Sequence, residues 1–215
     1  MAAKVLADNI ASLMCAAAAE HADLPARSRQ VRSLLRSRSD AAPAAPRARK
    51  EKHVVPMRSV GLWNGEEPLE GATMGLFFSQ TKEPSQVDFG TRLRDFLIYP
   101  NVLATTLKMV EIWKPLFVSV EPVFYDPVFK DRPGVGWMLY LPRVLTAQQV
   151  PEARALVPVM TEGDGKKQKP AQVGTIIVSV TDEPFSDENP EHVKIANAIE
   201  IRLVDQDLLP RYAEL

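Results

Sequence analysis

Three segments near the C-terminal end decide the fold of this 215-residue chain: GVGWMLYLP (134–142), AQVGTIIVSVTDEPF (171–185) and NPEHVKIANAIEIRLVDQDLL (189–209). The first two are short apolar runs of strand length. The third begins with Asn189 as a predicted N-cap and Pro190 in the first turn. Its apolar positions recur at helical spacing and form one predicted inner face: Val193, Ala196, Ile199 and Leu203. The order strand, strand, helix predicts an α+β domain.

Further elements are predicted upstream of these segments. Residues 57–63 and 73–79 are rich in β-forming residues and flank Asn64-Gly65, so they predict a hairpin, and 86–93 predicts a third strand. Apolar residues at helical spacing predict a helix over 101–113, which Pro115 ends. The apolar run 116–124 predicts another strand. Together the patterns predict a mostly antiparallel sheet of about five to seven strands packed by helices.

Composition divides the chain into residues 1–52 and 53–215. The first part predicts an Ala-rich helix over 3–20 and a flexible linker, SDAAPAAPRARKEK (39–52), and we expect it to be partly disordered. It holds ten Lys or Arg and five Asp or Glu, whereas the second part holds sixteen and twenty-two. The net charges of +5 and −6 predict that the folded body repels nucleic acid and attracts basic surfaces.

Cysteine usage and hydropathy bear on the compartment. Cys15 is the single cysteine, so an intrachain disulfide is impossible, and its place in the apolar run LMCAAAA favours a structural role. Asp8 and Asn9 interrupt the apolar core that a signal peptide would need. The sequence has no apolar run of about 18 residues, the length typical of a membrane span. The prediction is a cytoplasmic protein without membrane contact.

The sequence carries no recognisable catalytic set. The three histidines have no neighbour at metal-ligand spacing, and neither GxSxG nor GxGxxG is present. GDGKK (163–167) departs from the phosphate-loop pattern, since Met160 stands where its first glycine should be. We therefore predict no catalytic, cofactor-binding or metal-binding residue. A small hydrolase remains an alternative if folding hides a carboxylate pair in a desolvated cleft.

An acidic surface is the main binding signal. Nine carboxylates lie between Asp182 and Glu214, against only Lys194, Arg202 and Arg211. Trp137 and Trp113 are predicted to lie in the core, whereas Trp63 fits the core and an interface equally, because tryptophan is enriched among interface hot spots. The candidate partner-binding residues are Trp63, Asn64, Asp182, Glu183, Asp187, Glu188, Asp205 and Asp207.

Five segments in this order resemble the immunity protein 52 family: SVGLWNG (59–65), EIWKP (111–115), GVGWMLYLP (134–142), QVGTIIVSV (172–180) and the helix at 189–210. Members of that family are encoded beside bacterial polymorphic toxins, often ones that carry a nuclease domain with a restriction-endonuclease fold. The resemblance implies an α+β, non-catalytic inhibitor that neutralises a cognate protein toxin by stoichiometric binding. It implies no catalytic residue. Members open with a strand and a long helix, which residues 1–52 do not predict.

Several alternatives stay open at this point. The inhibitor could cover the electropositive active site of a nuclease or bind it elsewhere, and its oligomeric state is undecided. An accessory protein without a toxin partner is a further alternative. Residues 1–52, being basic, are a separate candidate for nucleic-acid contact.

Overall fold

The computed structural model describes residues 58–64, 71–78, 84–161 and 170–215. The predicted Ala-rich helix, the linker and Cys15 lie outside the described residues. The chain divides into two compact units, residues 1–92 and 93–215.

The described part of the first unit is a three-stranded antiparallel sheet. Its strands are β1 (Arg58–Trp63), β2 (Ala72–Phe78) and β3 (Gln86–Thr91), in the order β1-β2-β3. Alternate residues of β2 are buried, which is the period-two pattern of a sheet with one covered face: Ala72, Met74 and Leu76. The predicted hairpin and third strand are therefore present.

The second unit contains a four-stranded antiparallel sheet in the order β4-β5-β7-β6. The strands are β4 (Val118–Val120), β5 (Met138–Leu141), β6 (Ala155–Met160) and β7 (Gln172–Val178). Every residue of β5 is buried, and so are the last five residues of β7, including Ile176 and Ile177. Burial of consecutive residues means that both faces of these central strands are covered.

The described residues of the second unit also form two helices and a short 3-10 helix. Helix α1 (Tyr99–Trp113) ends at Lys114, whose φ of 45° is left-handed, and Pro115 follows. Helix α2 (Pro190–Asp205) buries one stripe, and the 3-10 helix spans Tyr212–Glu214. The buried residues of α2 are His192, Ala196, Ile199, Glu200 and Leu203.

The structure agrees with the predicted α+β class and corrects its details. The described strands form two sheets, of three and four strands, and a single sheet of five to seven is not confirmed. The predicted strand over 116–124 is reduced to β4, because Pro122 cannot donate to a ladder. Phe124 consequently lies outside any strand and is 87% exposed.

Gly136 explains why β5 begins later than predicted. Its φ is +46°, which interrupts extended backbone, and it permits a close approach to the end of β4. A Cβ atom at this position would lie 2.9 Å from the carbonyl oxygen of Val120. Trp137 then donates its indole N–H to the carbonyl of Val180 at 2.8 Å and is buried, as predicted.

Among the described residues, none of the helices combines the length and the apolar character that crossing a membrane would require.

Candidate binding surface

The start of α2 is fixed by two side chains. Asn189 Oδ1 accepts a hydrogen bond from the Glu191 amide at 3.0 Å, which confirms the predicted N-cap. His192 Nδ1 accepts from the Ser186 amide at 3.0 Å, and its Nε2 lies 2.9 Å from Glu183 Oε1. Because Nδ1 accepts, the neutral ring carries its proton on Nε2 and donates it to Glu183. The acidic segment before the helix is thus tied to the buried His192.

A shallow depression runs along the outer side of α2 and is called the α2 groove. It has a volume of about 640 Å³. Its lining consists of Asp187, Glu188, Pro190, Val193, Lys194, Asn197, Ala198 and Ile201. Two carboxylates therefore stand at the N-terminal end of a largely apolar floor, and Lys194 offsets one of their two negative charges. This combination suits a protein or peptide ligand that presents apolar and basic side chains together.

The Tyr125 loop, residues 121–135, adjoins this groove through Asn197. Asn197 lines the groove, and its Oδ1 lies 3.1 Å from the Tyr125 hydroxyl. The Tyr125 ring packs edge-on against Phe185, with centroids 5.5 Å apart. The loop, the groove and the acidic segment before α2 therefore form one contiguous region.

A single buried carboxylate, Glu200, organises the Tyr125 loop from α2. It is 1% exposed. Its Oε1 accepts from the Tyr125 hydroxyl at 2.7 Å and from the Val135 amide at 2.9 Å, and its Oε2 accepts from the Val128 amide at 2.8 Å. A carboxylate is an acceptor only, and three donors satisfy it without a cation. Burial and then the hydrogen bond to Glu200 raise the pKa of Tyr125 well above its usual range, so the phenol stays protonated.

The far end of the loop is held by the chain terminus. Arg132 is buried and donates to the carbonyl of Leu209, and the Tyr212 amide donates to the carbonyl of Asp131 at 2.9 Å. Phe117, just before β4, packs against the Tyr212 ring with centroids 6.0 Å apart. Both ends of the loop are therefore fixed by groups distant in sequence.

Glu121 lies beside the loop backbone that Glu200 binds. A Cβ atom at Gly134 would lie 2.6 Å from Glu121 Oε2, so this carboxylate lies over the backbone that leads into Val135. Partial burial of its side chain and then the negative charge of Glu200 raise the pKa of Glu121, although the residue as a whole is exposed. Within the described part of the chain, neither glutamate takes part in an ion pair.

The apex of the Tyr125 loop presents two apolar side chains to solvent. Val123 is 91% exposed and Phe124 is 87% exposed, and they directly precede the buried Tyr125. A scattered apolar residue on a surface needs no explanation, but an adjacent pair on a loop fixed by a buried carboxylate is less common. This pair resembles the aromatic and aliphatic anchors found at the centres of protein interfaces.

The structure places the predicted binding residues in three locations. Trp63 and Asn64 belong to the first unit, at the end of β1, where Trp63 is 65% exposed. Asn64 Oδ1 accepts from the Ala72 amide at 3.0 Å, which closes the β1–β2 connection. The remaining candidates lie in the second unit. Asn64 therefore has a structural role, and Trp63 lies on the surface.

The predicted acidic residues separate along α2. Asp182, Glu183, Asp187 and Glu188 precede its first turn, whereas Asp205 is its last residue and Asp207 follows it. A helix of 16 residues is roughly 24 Å long, so the two groups form separate patches. Of the six, only Asp187 and Glu188 line the groove, and Glu183 instead contacts His192.

Sequence reasoning missed the residues that organise the loop. Glu200 was counted among the surface carboxylates, although it stands four residues after Ala196 and three before Leu203, on the predicted inner face. That spacing was the available signal. Val193 was predicted to lie on that inner face, but the structure places it in the groove. Sequence reasoning did not single out Val123, Phe124 and Tyr125, because it placed the first two in the predicted strand over 116–124 and the third directly after it.

Metal and family comparisons complete the description of the region. Over the described residues, no cluster of three or more His, Cys, Asp or Glu side chains is placed to hold a metal ion. The sequence matches no protein-family model and no curated protein.

Proposed function

We propose that this protein binds and neutralises a cognate protein toxin by stoichiometric association, as its resemblance to the immunity protein 52 family implies. The observation that carries the proposal is the contiguous region formed by the α2 groove and the Tyr125 loop. It combines a fixed backbone, an apolar floor and an acidic end, which are features of surfaces that bind proteins.

The proposed toxin is a nuclease with a restriction-endonuclease-like fold. A nuclease groove must be electropositive to bind phosphates. Asp187 and Glu188 at the end of the α2 groove are complementary to such a surface, and this charge accelerates encounter. The physical reason for inhibition is then that the acidic end occupies the site of the nucleic-acid backbone.

Two measurements test the proposal. Co-expression with the toxin that this proposal assigns to a neighbouring gene should abolish the toxin's lethality, and calorimetry should give a 1:1 complex with a catalytically inactive toxin domain. Survival without a measurable complex, or a complex without protection, would contradict it. Absence of both would favour an accessory protein without a toxin partner.

The location of the acidic contact is tested by two single charge reversals. Glu188→Lys at the groove should slow association several-fold and weaken its dependence on salt. Asp205→Lys makes the same change of charge at the other end of α2 and should leave the rate nearly unchanged. Equal effects would mean that only the net charge matters, and no effect from either would favour an inhibitor that binds away from the nucleic-acid groove.

One observation favours a second candidate, the small hydrolase. Glu121 has a raised pKa beside the carboxylate Glu200, and unequal carboxylates are used as general acid and base. However, both oxygens of Glu200 already accept hydrogen bonds from their own chain, which favours a positioning role. Hydrolysis of a phosphodiester or ester by the purified protein, abolished by Glu121→Gln, would support the hydrolase and contradict the inhibitor.

A further inference from the structure

The apex of the Tyr125 loop has the energetic properties of an interface anchor. Phe124 and Val123 together expose a large apolar surface, and burying it in a partner removes that surface from water. An aromatic side chain loses few rotamers on binding, so most of this gain is retained.

The loop backbone is already fixed before binding. Glu200 accepts the amide hydrogens of Val128 and Val135, and Arg132 joins the loop to Leu209. Tyr125, the neighbour of Phe124, is buried and bonded to the same carboxylate. A fixed loop loses little conformational entropy when a partner docks, which increases the affinity that a given contact area provides.

The charges around the apex indicate the chemistry of its partner. Glu121 lies two residues before Val123 and has no ion pair among the described residues, and burial and the charge of Glu200 raise its pKa. Asp126, two residues after Phe124, is paired only within the loop, with Lys130. A cationic group placed beside Glu121 would therefore stabilise its ionised form.

We propose that Val123 and Phe124 insert as one apolar anchor into a pocket of the toxin whose rim presents Lys or Arg to Glu121. This inference rests on the proposed function and names a contact that acidic complementarity alone does not supply. An anionic membrane is disfavoured because Glu121 would face lipid charge of the same sign. A second copy is disfavoured because it would bring together two loops that each carry a net negative charge.

The test uses the full chain and a catalytically inactive form of the toxin domain that the proposed function assigns to a neighbouring gene. Phe124→Ala should weaken binding at least about 30-fold, the effect of a hot-spot residue, and mainly by faster dissociation. Val123→Ala should weaken it several-fold. Val144→Ala makes the same change at a valine that is 57% exposed after β5 and should leave affinity unchanged. Phe124→Ala should unfold at the same temperature as the original protein, because the side chain is 87% exposed.

The outcomes separate this inference from the proposed function. If the unaltered chain binds and Phe124→Ala binds equally well, the anchor is refuted while the inhibitor stands. If the unaltered chain does not bind at all, the proposed function fails and the anchor fails with it. Phe124-dependent sedimentation with phosphatidylserine vesicles, or a Phe124-dependent dimer in light scattering, would also overturn the inference.

Discussion

The central strands of the four-stranded sheet and the Tyr125 loop satisfy their buried backbones in opposite ways. Strands β5 and β7 pair with each other over Met138–Leu141, so each peptide group finds its partner in a ladder. In the loop, the buried amide of Val135 and the part-buried amide of Val128 both donate to one side chain, Glu200. The stability of the strands is therefore spread over many contacts, whereas the loop relies on a few side chains, of which Glu200 accepts the most hydrogen bonds. The surfaces differ as well, since the strands are covered on both faces and the loop exposes Val123 and Phe124.

The largest effect is expected in the strands. Ile177 is 0% exposed and lies between Leu139 and Leu156 in the sheet. The substitution Ile177→Ala should lower the unfolding free energy by about 2–5 kcal/mol, because it leaves a cavity. Val173→Ala on the same strand, at a residue 41% exposed, is the control and should change stability by less than about 0.5 kcal/mol. Urea unfolding measures both. Equal losses would show that β7 is not the centre of the core.

Glu200→Gln should have the next largest effect, and it should disorder the Tyr125 loop while leaving the strands intact. The glutamine side chain keeps one acceptor oxygen for three donors and turns its own NH₂ group toward a backbone N–H. We therefore expect the unfolding free energy to fall by about 2–3 kcal/mol. Hydrogen exchange should become faster at the amides of Val128 and Val135 while β7 stays protected.

Glu191→Gln is the control for this change. It lies on the same helix, its side chain is 70% exposed, and it should leave the loop amides protected. Unchanged protection in Glu200→Gln would contradict the idea that one carboxylate organises the loop.

Tyr125→Phe removes one of the three donors and keeps the ring against Phe185. We expect the unfolding free energy to fall by about 1–2 kcal/mol, because a buried hydrogen bond to a charged group is lost but no cavity is created. Tyr212→Phe, at a half-exposed tyrosine, should change stability by less than about 0.5 kcal/mol. If both variants behave alike in thermal unfolding, the hydroxyl of Tyr125 is not part of the clamp.

Glu121→Gln should produce the smallest effect, and it should be a gain. Because the pKa of Glu121 is raised in the folded state, its ionised form opposes folding, and stability falls as pH rises through that pKa. Glutamine mimics the protonated form, so the variant should be more stable at pH 7 and equal to the original protein at low pH. Glu188→Gln controls for the loss of one surface charge. A gain that persists in acid would contradict the electrostatic explanation.

Local patterns were sufficient to predict the regular elements. The N-cap of α2 at Asn189, the end of α1 before Pro115 and the hairpin around Asn64 follow from residues adjacent in sequence, and the structure contains them. The predicted strand over 116–124 extends beyond the end of β4, although Pro122 indicates an earlier end. The sequence identified the acidic candidate residues. It did not predict their separation into two patches, which depends on the length of α2.

The sequence by itself determined the α+β class, the position of most helices and strands and the acidic character of the C-terminal part, because each depends on composition or on neighbours within a few residues. Only the tertiary structure decided that Glu200 is buried, that Glu121 lies beside the backbone next to Val135, and that Val123 and Phe124 are exposed. These depend on contacts between residues more than sixty positions apart, such as Val135 with Glu200, and no local pattern encodes them. The candidate binding surface is therefore a property of the folded chain.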